Sequence, residues 1–495
     1  MTETLRPARV RFAPSPTGRM HLGSARTALY DYLLARRTGG QFILRIEDTD
    51  VKRYVPGAEE ELMEGLRWLG IHWDEGPDVG GPYGPYRQSE RKEIYLEYAQ
   101  KLVAGGHAYP CFCTPDRLEQ MRQAQQELKQ QLHYDGTCRS LDPDEAARRI
   151  AGGEKYVIRF KTPRDGVVTA HDALRGDITV ANRLIDDYVL VKSDGLALYH
   201  LAAMVDDYLM KITHVIRTAE WLPTFPLHVH IIRAFGWPQP VFVHPSVFLK
   251  PSGKGKMSKR DAAQVMKAGH SIFVGDLKAL GYIPEAAVNW TALMGWAYDD
   301  RTEFFTLSDL VEKFNIDHLN PAPAAINFTK LDYFNGLHIR HLEIADLARR
   351  IKPYFEAADY VVNDERLRQI TPLIRERLVT LDDAVAFAGF FFRDEVNPAP
   401  EALIGKGMSA AASADVARRA CQILGALPAF TPAALEPPLR DLVTASGLSA
   451  GQVFGILRAA ITGQTVSPPL FESMAIVGRE KVLARLQKAL QLLEH

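Results

Sequence analysis

The chain has 495 residues, of which 46% are hydrophobic and 24% are charged, values typical of a globular protein. Its 59 Lys and Arg residues nearly balance its 60 Asp and Glu residues, which excludes a uniformly basic nucleic-acid coat and an acidic tail. The longest near-apolar run, Ala384–Phe392, is too short for a membrane span of about 20 residues, and Met1–Val10 lacks the apolar core of a signal peptide. The four cysteines favour a reducing, cytosolic setting without a disulfide framework.

The first fifty residues carry the pattern of a strand–helix–strand unit. Ala8–Ala13 predicts a strand, a helix is expected from about Gly23, and Gln41–Ile46 predicts a second strand. Such a unit forms part of a parallel sheet, and ligands bind beyond the carboxyl ends of its strands. The loop at 14–24 and the acidic cluster at 47–50 both lie at that edge, which makes it the first candidate site.

Later elements change in character twice. Helices are expected near 58–70 and 89–104. The segment 105–198 then combines a Cys-Phe-Cys tract, a polar helix near 115–133 and short strand-like runs. We interpret this segment as an insertion. Beyond about 336 the strand signal fades and helical patterns alternate with prolines. We therefore predict an α/β domain with an insertion, followed by a helical C-terminal part. Apolar patterns typical of strands also return at Ala197–Val205, Ile212–Arg217 and Val241–His244.

A turn rich in proline and glycine, Ala13–Gly18, leads into the tract Met20-His21-Leu22-Gly23-Ser24 at the predicted start of a helix. Backbone N–H groups at such a turn attract anions. Gly23 leaves room for a flat ring or a phosphate, and His21 has a donor for phosphate oxygens. The alternative interpretation is an ordinary strand–helix turn with a surface histidine.

A second loop, Gly253–Arg260, contains four cations and two glycines. Its glycines predict mobility, and its charge predicts an attraction for phosphate. A cationic loop that closes over a triphosphate would stabilise the charge that develops at the α-phosphate. On its own, such a run is equally typical of a solvated basic loop.

Five tracts occur in the order found in bacterial glutamyl-tRNA synthetases, which are class I aminoacyl-tRNA synthetases. The tracts are RFAPSPTGRMHLGSARTALYDYLLARR, FILRIEDTD, YHLAAMVDD, VIRTAEW and KMSKR. The sequence resembles this family over essentially its whole length, most closely over about 9–335. The family has two signature motifs, called HIGH-like and KMSKS-like. The first is similar to His21-Leu22-Gly23-Ser24 of this sequence, and the second is similar to Lys256-Met257-Ser258-Lys259-Arg260.

The resemblance implies a Rossmann-type parallel-sheet catalytic domain with an α+β insertion, followed by an all-α anticodon-binding region. The expected divisions are 1–104, the first half of the Rossmann domain; 105–198, the inserted acceptor-end-binding domain; 199–255, the second half of the Rossmann domain; 256–335, the KMSKS-loop and stem-contact domain; and 336–495, the helical anticodon-binding domain.

The activity that the resemblance implies is ATP-dependent ligation of L-glutamate to tRNA(Glu), through a glutamyl adenylate and with release of pyrophosphate. ATP would bring Mg²⁺ bound to its phosphates, with few protein ligands. The implied partners are tRNA(Glu), L-glutamate and ATP, with no membrane, and the expected state is a cytoplasmic monomer. Activation in this family usually needs bound tRNA.

Glutamate carries two carboxylates and one ammonium, so its pocket calls for two cations and one anion. The resemblance assigns Arg11 and Arg217 to the carboxylates, since guanidinium and carboxylate match bidentately, and Glu47 to the ammonium. For each arginine the alternative is a surface ion pair. The full implied set for glutamate is Arg11, Ala13, Ser15, Glu47, Tyr199, Arg217 and Trp221.

The resemblance also assigns the nucleotide residues, with His21, Lys256 and Lys259 as the catalytic ones. The substrate carboxylate is its own nucleophile, so catalysis needs positioning and charge stabilisation rather than a nucleophilic side chain. Two departures stand out: Ser24 replaces the last histidine of the HIGH-like motif, and Ala203 stands where relatives often carry Asn. The ATP set is Thr17, His21, Gly23, Glu220, Val247, Phe248 and Lys259.

Cys111, Cys113 and Cys138 lie in the predicted insertion, where some family members bind zinc through three cysteines and a tyrosine or histidine. Structural zinc prefers four ligands, and Tyr134 is the implied fourth, with His133 and His107 as neighbouring alternatives. The other interpretation is three buried thiols that fill a small core.

The resemblance places anticodon-reading arginines at Arg375 and Arg377. Hydrogen bonds from a guanidinium to unstacked bases provide the mechanism. The alternative is a charged helix surface balanced by Glu376. Whether tRNA(Gln) is also charged stays open.

Three rival functions remain. A glutaminyl-tRNA synthetase would carry β-barrel anticodon domains, and a short tRNA-modifying relative would lack the C-terminal part. A catalytically silent RNA-binding homologue would not be expected to keep His21, Glu47, Arg217 and Lys259.

Overall fold

The computed structural model describes residues 6–494. The chain forms two compact units. One comprises the residues up to Asp276 together with Ala287–Phe328, and the other comprises Leu277–Ala286 and the residues from Thr329 onward. The first unit mixes strands and helices and the second is helical.

The strands are short and fall in the first unit. Within residues 6–494 they are β1 (Arg9–Phe12), β2 (Gln41–Leu44), β3 (Ala108–Cys111), β4 (Val157–Phe160), β5 (Val167–Asp172), β6 (Gly176–Ala181), β7 (Val189–Val191), β8 (His214–Ile216), β9 (Val241–Val243), β10 (Phe248–Leu249) and β11 (Ala324–Ala325).

The helices of residues 6–494 are α1 (Leu22–Thr38), α2 (Ala58–Trp68), α3 (Lys92–Ala104), α4 (Pro115–Glu127), α5 (Pro143–Ala151), α6 (Tyr199–Leu209), α7 (Phe225–Ala234), α8 (Ala262–Lys267), α9 (Val274–Ala279), α10 (Pro284–Leu293), α11 (Leu307–Lys313), α12 (Phe328–His341), α13 (Ile344–Ala357), α14 (Asp364–Ile374), α15 (Asp383–Ala388), α16 (Ala410–Ala426), α17 (Pro432–Ser446), α18 (Ala450–Thr462), α19 (Leu470–Val477) and α20 (Arg479–Glu494). None of these helices combines the length and the apolar character that crossing a membrane requires.

Parallel strands from distant parts of the chain end along one edge of the first unit. β1 pairs in parallel with β2. On its other side β1 starts beside β8, where the Thr213 amide donates to the Arg9 carbonyl at 2.8 Å. β8 pairs in parallel with β9, and β9 pairs in parallel with β5, with Asp172 opposite Phe242. The loops that follow these strands therefore meet, which the strand–helix–strand pattern predicted for the first two.

The sheet extends across the boundary predicted at residue 198. β5 and β6 lie within the sequence assigned to the insertion, yet they complete a four-stranded sheet in the order β6-β5-β9-β8. The remaining strands of that segment form a separate antiparallel sheet in the order β3-β4-β7. The segment therefore contributes both to the sheet beside the site and to a layer of its own.

One predicted strand is wrong. The apolar run Ala197–Val205 lies mainly in helix α6, Tyr199–Leu209. Because Leu201–Asp207 is buried all round the helix, its sequence lacks the polar stripe that distinguishes an amphipathic helix. A continuous apolar run of this length fits a buried helix and a buried strand equally well.

The helical unit is built on amphipathic faces. Helix α13 buries Leu347, Ile351 and Phe355 at a spacing of four residues, and helix α20 buries Val482 and Leu486 in the same way. These side chains belong to one apolar cluster of the unit. The prediction of a helical C-terminal part is confirmed.

Candidate active site

A cavity of about 490 Å³ lies at the carboxyl edge of the parallel strands. It brings together residues that are far apart in the sequence, because they lie at or near the carboxyl ends of different strands or at the starts of helices. The predicted site residues that line it are Arg11, Ala13, Ser15, Thr17, His21, Gly23, Ser24, Glu47, Tyr199, Arg217, Glu220, Trp221 and Lys259.

Arg217 follows β8 and is 5% exposed. Its Nη1 donates to the Tyr199 hydroxyl at 3.2 Å and its Nε donates to His244 Nε2 at 2.9 Å. The third nitrogen, Nη2, is buried with no hydrogen-bond partner among the described residues. The Tyr199 ring stacks on Trp221 with centroids 4.0 Å apart. A buried cationic N–H without a partner is costly, so an anion in this cavity would relieve that cost.

Arg11 lies in β1, Glu47 follows β2, and a buried ionic network connects the two residues. Arg11 Nε donates to Asp207 Oδ1 at 3.0 Å. The same carboxylate oxygen lies 2.9 Å from Arg45 Nη1, and Arg45 Nη2 donates to Glu47 Oε1 at 3.3 Å. Arg45 is fully buried, so this network holds the two cavity-facing groups in fixed positions.

Burial and nearby arginines act in opposite directions on the pKa of Glu47. The carboxyl is 7% exposed, and burial raises its pKa to about 7, although Arg45 and Arg11 oppose that rise. Gln88 Nε2 lies 3.5 Å from Glu47 Oε1, which adds one weak donor. An ammonium group placed beside Glu47 would favour the ionised carboxylate.

His21 is the N-cap of helix α1. Its Nδ1 accepts from the Ser24 amide at 3.2 Å, so the proton of a neutral ring lies on Nε2, 3.3 Å from Ser24 Oγ. Burial, reinforced by Lys259 and Lys256, lowers the pKa of His21 to about 4. The ring is therefore neutral at physiological pH and carries its one N–H on Nε2, beside Ser24 Oγ.

A second cavity, of about 220 Å³, adjoins the first and shares His21, Gly23, Glu220 and Lys259 with it. The predicted nucleotide residues apart from Thr17 line it. Its further lining from the predicted sets is Leu22, Val247, Phe248, Lys256, Met257 and Ser258.

The basic loop reaches the first motif. Lys256 pairs with Glu220, while Lys259 forms no ion pair within residues 6–494. The Lys259 ammonium lies beside Gly18, where a Cβ would come within 3.2 Å of it. Gly18 has φ +129°, a conformation that residues with a side chain rarely adopt, so the backbone favours glycine there. Arg260, the last predicted member of the motif, is exposed and lines neither cavity.

Sequence reasoning missed two buried partners of the site. His244 follows β9 and Asp172 ends β5, and both are fully buried. No local motif marks either residue, because their roles depend on the pairing of β5 with β9 across about 70 residues of sequence. Asp207 ends the tract YHLAAMVDD, but nothing in the local sequence indicates that it pairs with Arg11 and Arg45.

Ala203 is fully buried in the apolar cluster of the first unit. It is not among the residues that line the larger cavity. The structure therefore places this departure from the family pattern behind the site wall.

Comparisons with known proteins agree with this geometry. Residues 7–333 match the family described as "tRNA synthetases class I (E and Q), catalytic domain", and residues 346–490 match "Anticodon binding domain". A glutamate–tRNA ligase of Roseiflexus sp. (strain RS-1) is 45% identical over 99% of this chain and 97% of that relative. One of Chloroflexus aurantiacus is 44% identical over 99% of this chain and 98% of that relative. The chain belongs to the glutamate–tRNA ligase family.

Solved structures of family members support the same conclusion. A glutamate tRNA ligase from Elizabethkingia meningosepticum, crystallised in complex with its amino acid, superposes with a TM-score of 0.90. It is 37% identical, and the match covers 98% of this chain and 99% of that one. The match includes the helical unit, which argues against the β-barrel and short rivals.

The thiol cluster of this family member lies at the end of β3. The Sγ atoms of Cys111, Cys113 and Cys138 all lie within 4.8 Å of one another. The Tyr134 hydroxyl is 3.3 Å from Cys111 Sγ and 3.4 Å from Cys113 Sγ. Burial opposes ionisation of Cys111, but hydrogen bonds from Tyr134 and from Arg159 bring its pKa below the ordinary value.

The two predicted anticodon arginines lie in a 3-10 helix, Arg375–Arg377, after helix α14. Arg375 Nε donates to Glu376 Oε1 at 3.2 Å. Arg377 is exposed and forms no ion pair within the described part of the chain. Its charge is therefore available to a partner.

Proposed function

We propose that this protein ligates L-glutamate to tRNA(Glu) in two steps. In the first, an α-carboxylate oxygen of glutamate attacks the α-phosphorus of ATP, the bond to the β-phosphate breaks, and pyrophosphate leaves. In the second, the terminal ribose hydroxyl of the tRNA attacks the glutamyl carbonyl and displaces AMP. The observation that carries the proposal is one cavity that presents Arg11, Arg217 and Glu47 next to a second cavity lined by His21, Lys256 and Lys259.

The larger cavity selects the amino acid by charge. Arg217 binds the side-chain carboxylate, which would satisfy its unpartnered Nη2. Arg11 binds the second carboxylate and Glu47 accepts from the α-ammonium. Glutamine would leave a buried guanidinium N–H facing an amide instead of an anion, which lowers its affinity. The Ala13 and Ser15 backbone and the stacked Tyr199 and Trp221 rings complete the pocket.

The adjoining cavity holds ATP. Val247 and Phe248 supply an apolar wall for adenine, and Gly23 lets the nucleotide approach the start of helix α1. His21 donates its Nε2 proton to a phosphate oxygen, and Lys256 and Lys259 stabilise the charge that develops as pyrophosphate leaves. Mg²⁺, when it accompanies ATP, neutralises phosphate oxygens and supplies Lewis-acid stabilisation. Among the described residues, the lining of this cavity holds a single carboxylate, Glu220, which pairs with Lys256, and this fits an ion carried by the nucleotide.

The thiol cluster fits structural zinc. Two sulfur ligands of one zinc ion lie about 3.8 Å apart when the Zn–S distances are about 2.3 Å. The Sγ atoms of Cys113 and Cys138 are 3.6 Å apart, and all three Sγ atoms lie within 4.8 Å of one another. Tyr134 supplies the fourth position, since its oxygen contacts two of the sulfur atoms. A zinc ion here would tie β3 to the segment around Cys138 and so shape the surface that receives the tRNA acceptor end.

The helical unit reads the tRNA anticodon. The match of residues 346–490 to an anticodon binding domain supports this assignment, and Arg375 and Arg377 are its base-reading candidates. The proposal also includes a monomeric state and the divisions 1–104, 105–198, 199–255, 256–335 and 336–495, with β5 and β6 of the second division contributing to the sheet beside the site.

The proposal is tested by charging purified tRNA(Glu) and tRNA(Gln) side by side with labelled glutamate and glutamine. We expect ATP-dependent glutamylation of tRNA(Glu) and no glutaminylation of either tRNA. Charging with glutamine, or no charging of tRNA(Glu) by a folded protein, would contradict the proposal. The tRNA(Gln) arm reports whether the enzyme also glutamylates that tRNA.

A further inference from the structure

Three adjacent strands each deliver one buried polar residue to the back of the amino-acid cavity. Arg217 follows β8, His244 follows β9, and Asp172 ends β5. The strand register aligns them, since Ile216 pairs with Val243 and Asp172 pairs with Phe242.

Hydrogen bonds join the three side chains in a row. Asp172 Oδ2 lies 2.6 Å from His244 Nδ1, and His244 Nε2 lies 2.9 Å from Arg217 Nε. A guanidinium can only donate, so His244 Nε2 must accept and the ring proton must lie on Nδ1. Asp172 accepts that proton and thereby fixes the tautomer. Burial lowers the pKa of His244 to about 4, with Arg217 contributing, although the hydrogen bond to Asp172 opposes the shift.

Two hydrogen bonds, from Nε and from Nη1, fix the orientation of the Arg217 guanidinium. Nε is anchored on His244, and Nη1 donates to the Tyr199 hydroxyl. Nη2 stays unpartnered and the residue lines the cavity. The acceptor on Nε is a neutral imidazole rather than a carboxylate, and no carboxylate within residues 6–494 forms an ion pair with Arg217. The substrate carboxylate therefore meets a guanidinium whose orientation is fixed and whose positive charge is not offset by the acceptor on Nε.

We infer that His244 and Asp172 are positioning residues that set the orientation and charge of Arg217 and thereby the preference for an acidic over an amide side chain. The inference rests on the proposed function, since it takes Arg217 as the group that binds the glutamate side chain. Asp172 has a second contact set, because its Oδ1 accepts from the Leu174 and Arg175 amides at 3.1 and 2.9 Å. His244 makes the cleaner test for that reason.

The test compares His244→Phe with His244→Gln in the full-length protein. Phe keeps a ring beside Phe225, whose centroid lies 4.8 Å from that of His244, but gives Arg217 no acceptor. Gln keeps an acceptor for Arg217 and a donor for Asp172. His230→Gln is the matched control, because His230 is also buried and its Nε2 lies 2.9 Å from Asn182 Oδ1, away from Arg217. Arg217→Gln checks the proposed function itself.

Each variant is measured in tRNA(Glu) aminoacylation at varied glutamate and varied ATP, with a melting temperature for each. We expect His244→Phe to raise the KM for glutamate about ten- to a hundredfold, with the KM for ATP unchanged, because one charge-assisted hydrogen bond is lost. Glutamine should inhibit this variant relatively better than wild type. His244→Gln should recover most of the loss, and the control should behave as wild type.

The outcomes separate the inference from the function on which it rests. If Arg217→Gln loses glutamate binding while His244→Phe keeps a wild-type KM, the positioning role is overturned and the proposed function stands. An equal rise in both KM values, accompanied by a lower melting temperature, would also overturn the inference, since it would show a purely structural role. If Arg217→Gln has no effect on glutamate, the proposed role of Arg217 fails first.

Discussion

The pH dependence of glutamate binding should report the ionisation of Glu47. Burial raises the pKa of this carboxyl to about 7, and the substrate ammonium needs the ionised form as its acceptor. A group with a pKa of about 7 is about 9% ionised at pH 6 and about 91% ionised at pH 8. We therefore expect the KM for glutamate to fall roughly tenfold between pH 6 and pH 8. The sign follows from the raised pKa: protonation at the lower pH removes the acceptor.

The assay is aminoacylation of tRNA(Glu) at saturating ATP and Mg²⁺, with glutamate varied at each pH. His21 and His244 both have a pKa of about 4, so they do not titrate in this window. Glu47→Gln should raise the KM for glutamate at every pH and remove its pH dependence. A flat wild-type profile, or an unchanged slope in Glu47→Gln, would refute the reasoning.

Three further predictions concern the basic loop, the thiol cluster and the candidate anticodon arginines. Lys259→Ala should lower kcat about a hundred- to a thousandfold with little change in the KM for glutamate, because a cation that stabilises the departing phosphate is lost; steady-state kinetics with a near-wild-type kcat would count against this role. Elemental analysis of the purified wild type should find zinc, and Cys138→Ser should lose it, whereas Cys421→Ser, which alters a cysteine outside the cluster, should keep it. Wild type without zinc would favour the interpretation of three packed thiols. Arg377→Gln should raise the KM for tRNA(Glu) about tenfold while the KM for glutamate stays constant. Arg440→Gln, which alters an exposed arginine on another helix, should leave both KM values unchanged. Equal effects of the two substitutions would argue against base reading by Arg377.

Residues in contiguous motifs could be predicted from the sequence, because local order fixes where they lie. His21 was expected at the start of a helix after a strand, and the structure makes it the N-cap of helix α1. The family resemblance implied Arg217 as a glutamate ligand, and the residue lies directly after β8 on the cavity wall. The positions of such residues follow from a strand end, which a short apolar pattern already indicates.

Residues that act through sheet pairing could not be predicted in this way. Asp172 lies in a segment that we interpreted as an insertion, and only the pairing of β5 with β9 brings it to His244. The helix at Tyr199–Leu209 was mistaken for a strand because burial on every side erases its polar stripe. Tertiary contacts, rather than local preference, decided both cases.

The ionic network around Arg45 shows a related limit. Its guanidinium is fully buried and touches Asp207 and Glu47, so burial and pairing compensate each other. From sequence, Arg45 is one basic residue at the end of an apolar strand, and nothing local distinguishes it from a surface arginine. Its effect on Glu47 emerges only from the three-dimensional arrangement.

The central claim is that one crevice recognises an acidic amino acid and activates it with ATP. The most direct measurement is glutamate-dependent exchange of labelled pyrophosphate into ATP in the presence of tRNA(Glu), with aspartate and glutamine in parallel. The account predicts rapid exchange with glutamate and little with the other two amino acids. Exchange that is absent with glutamate, or equally fast with glutamine, would contradict it.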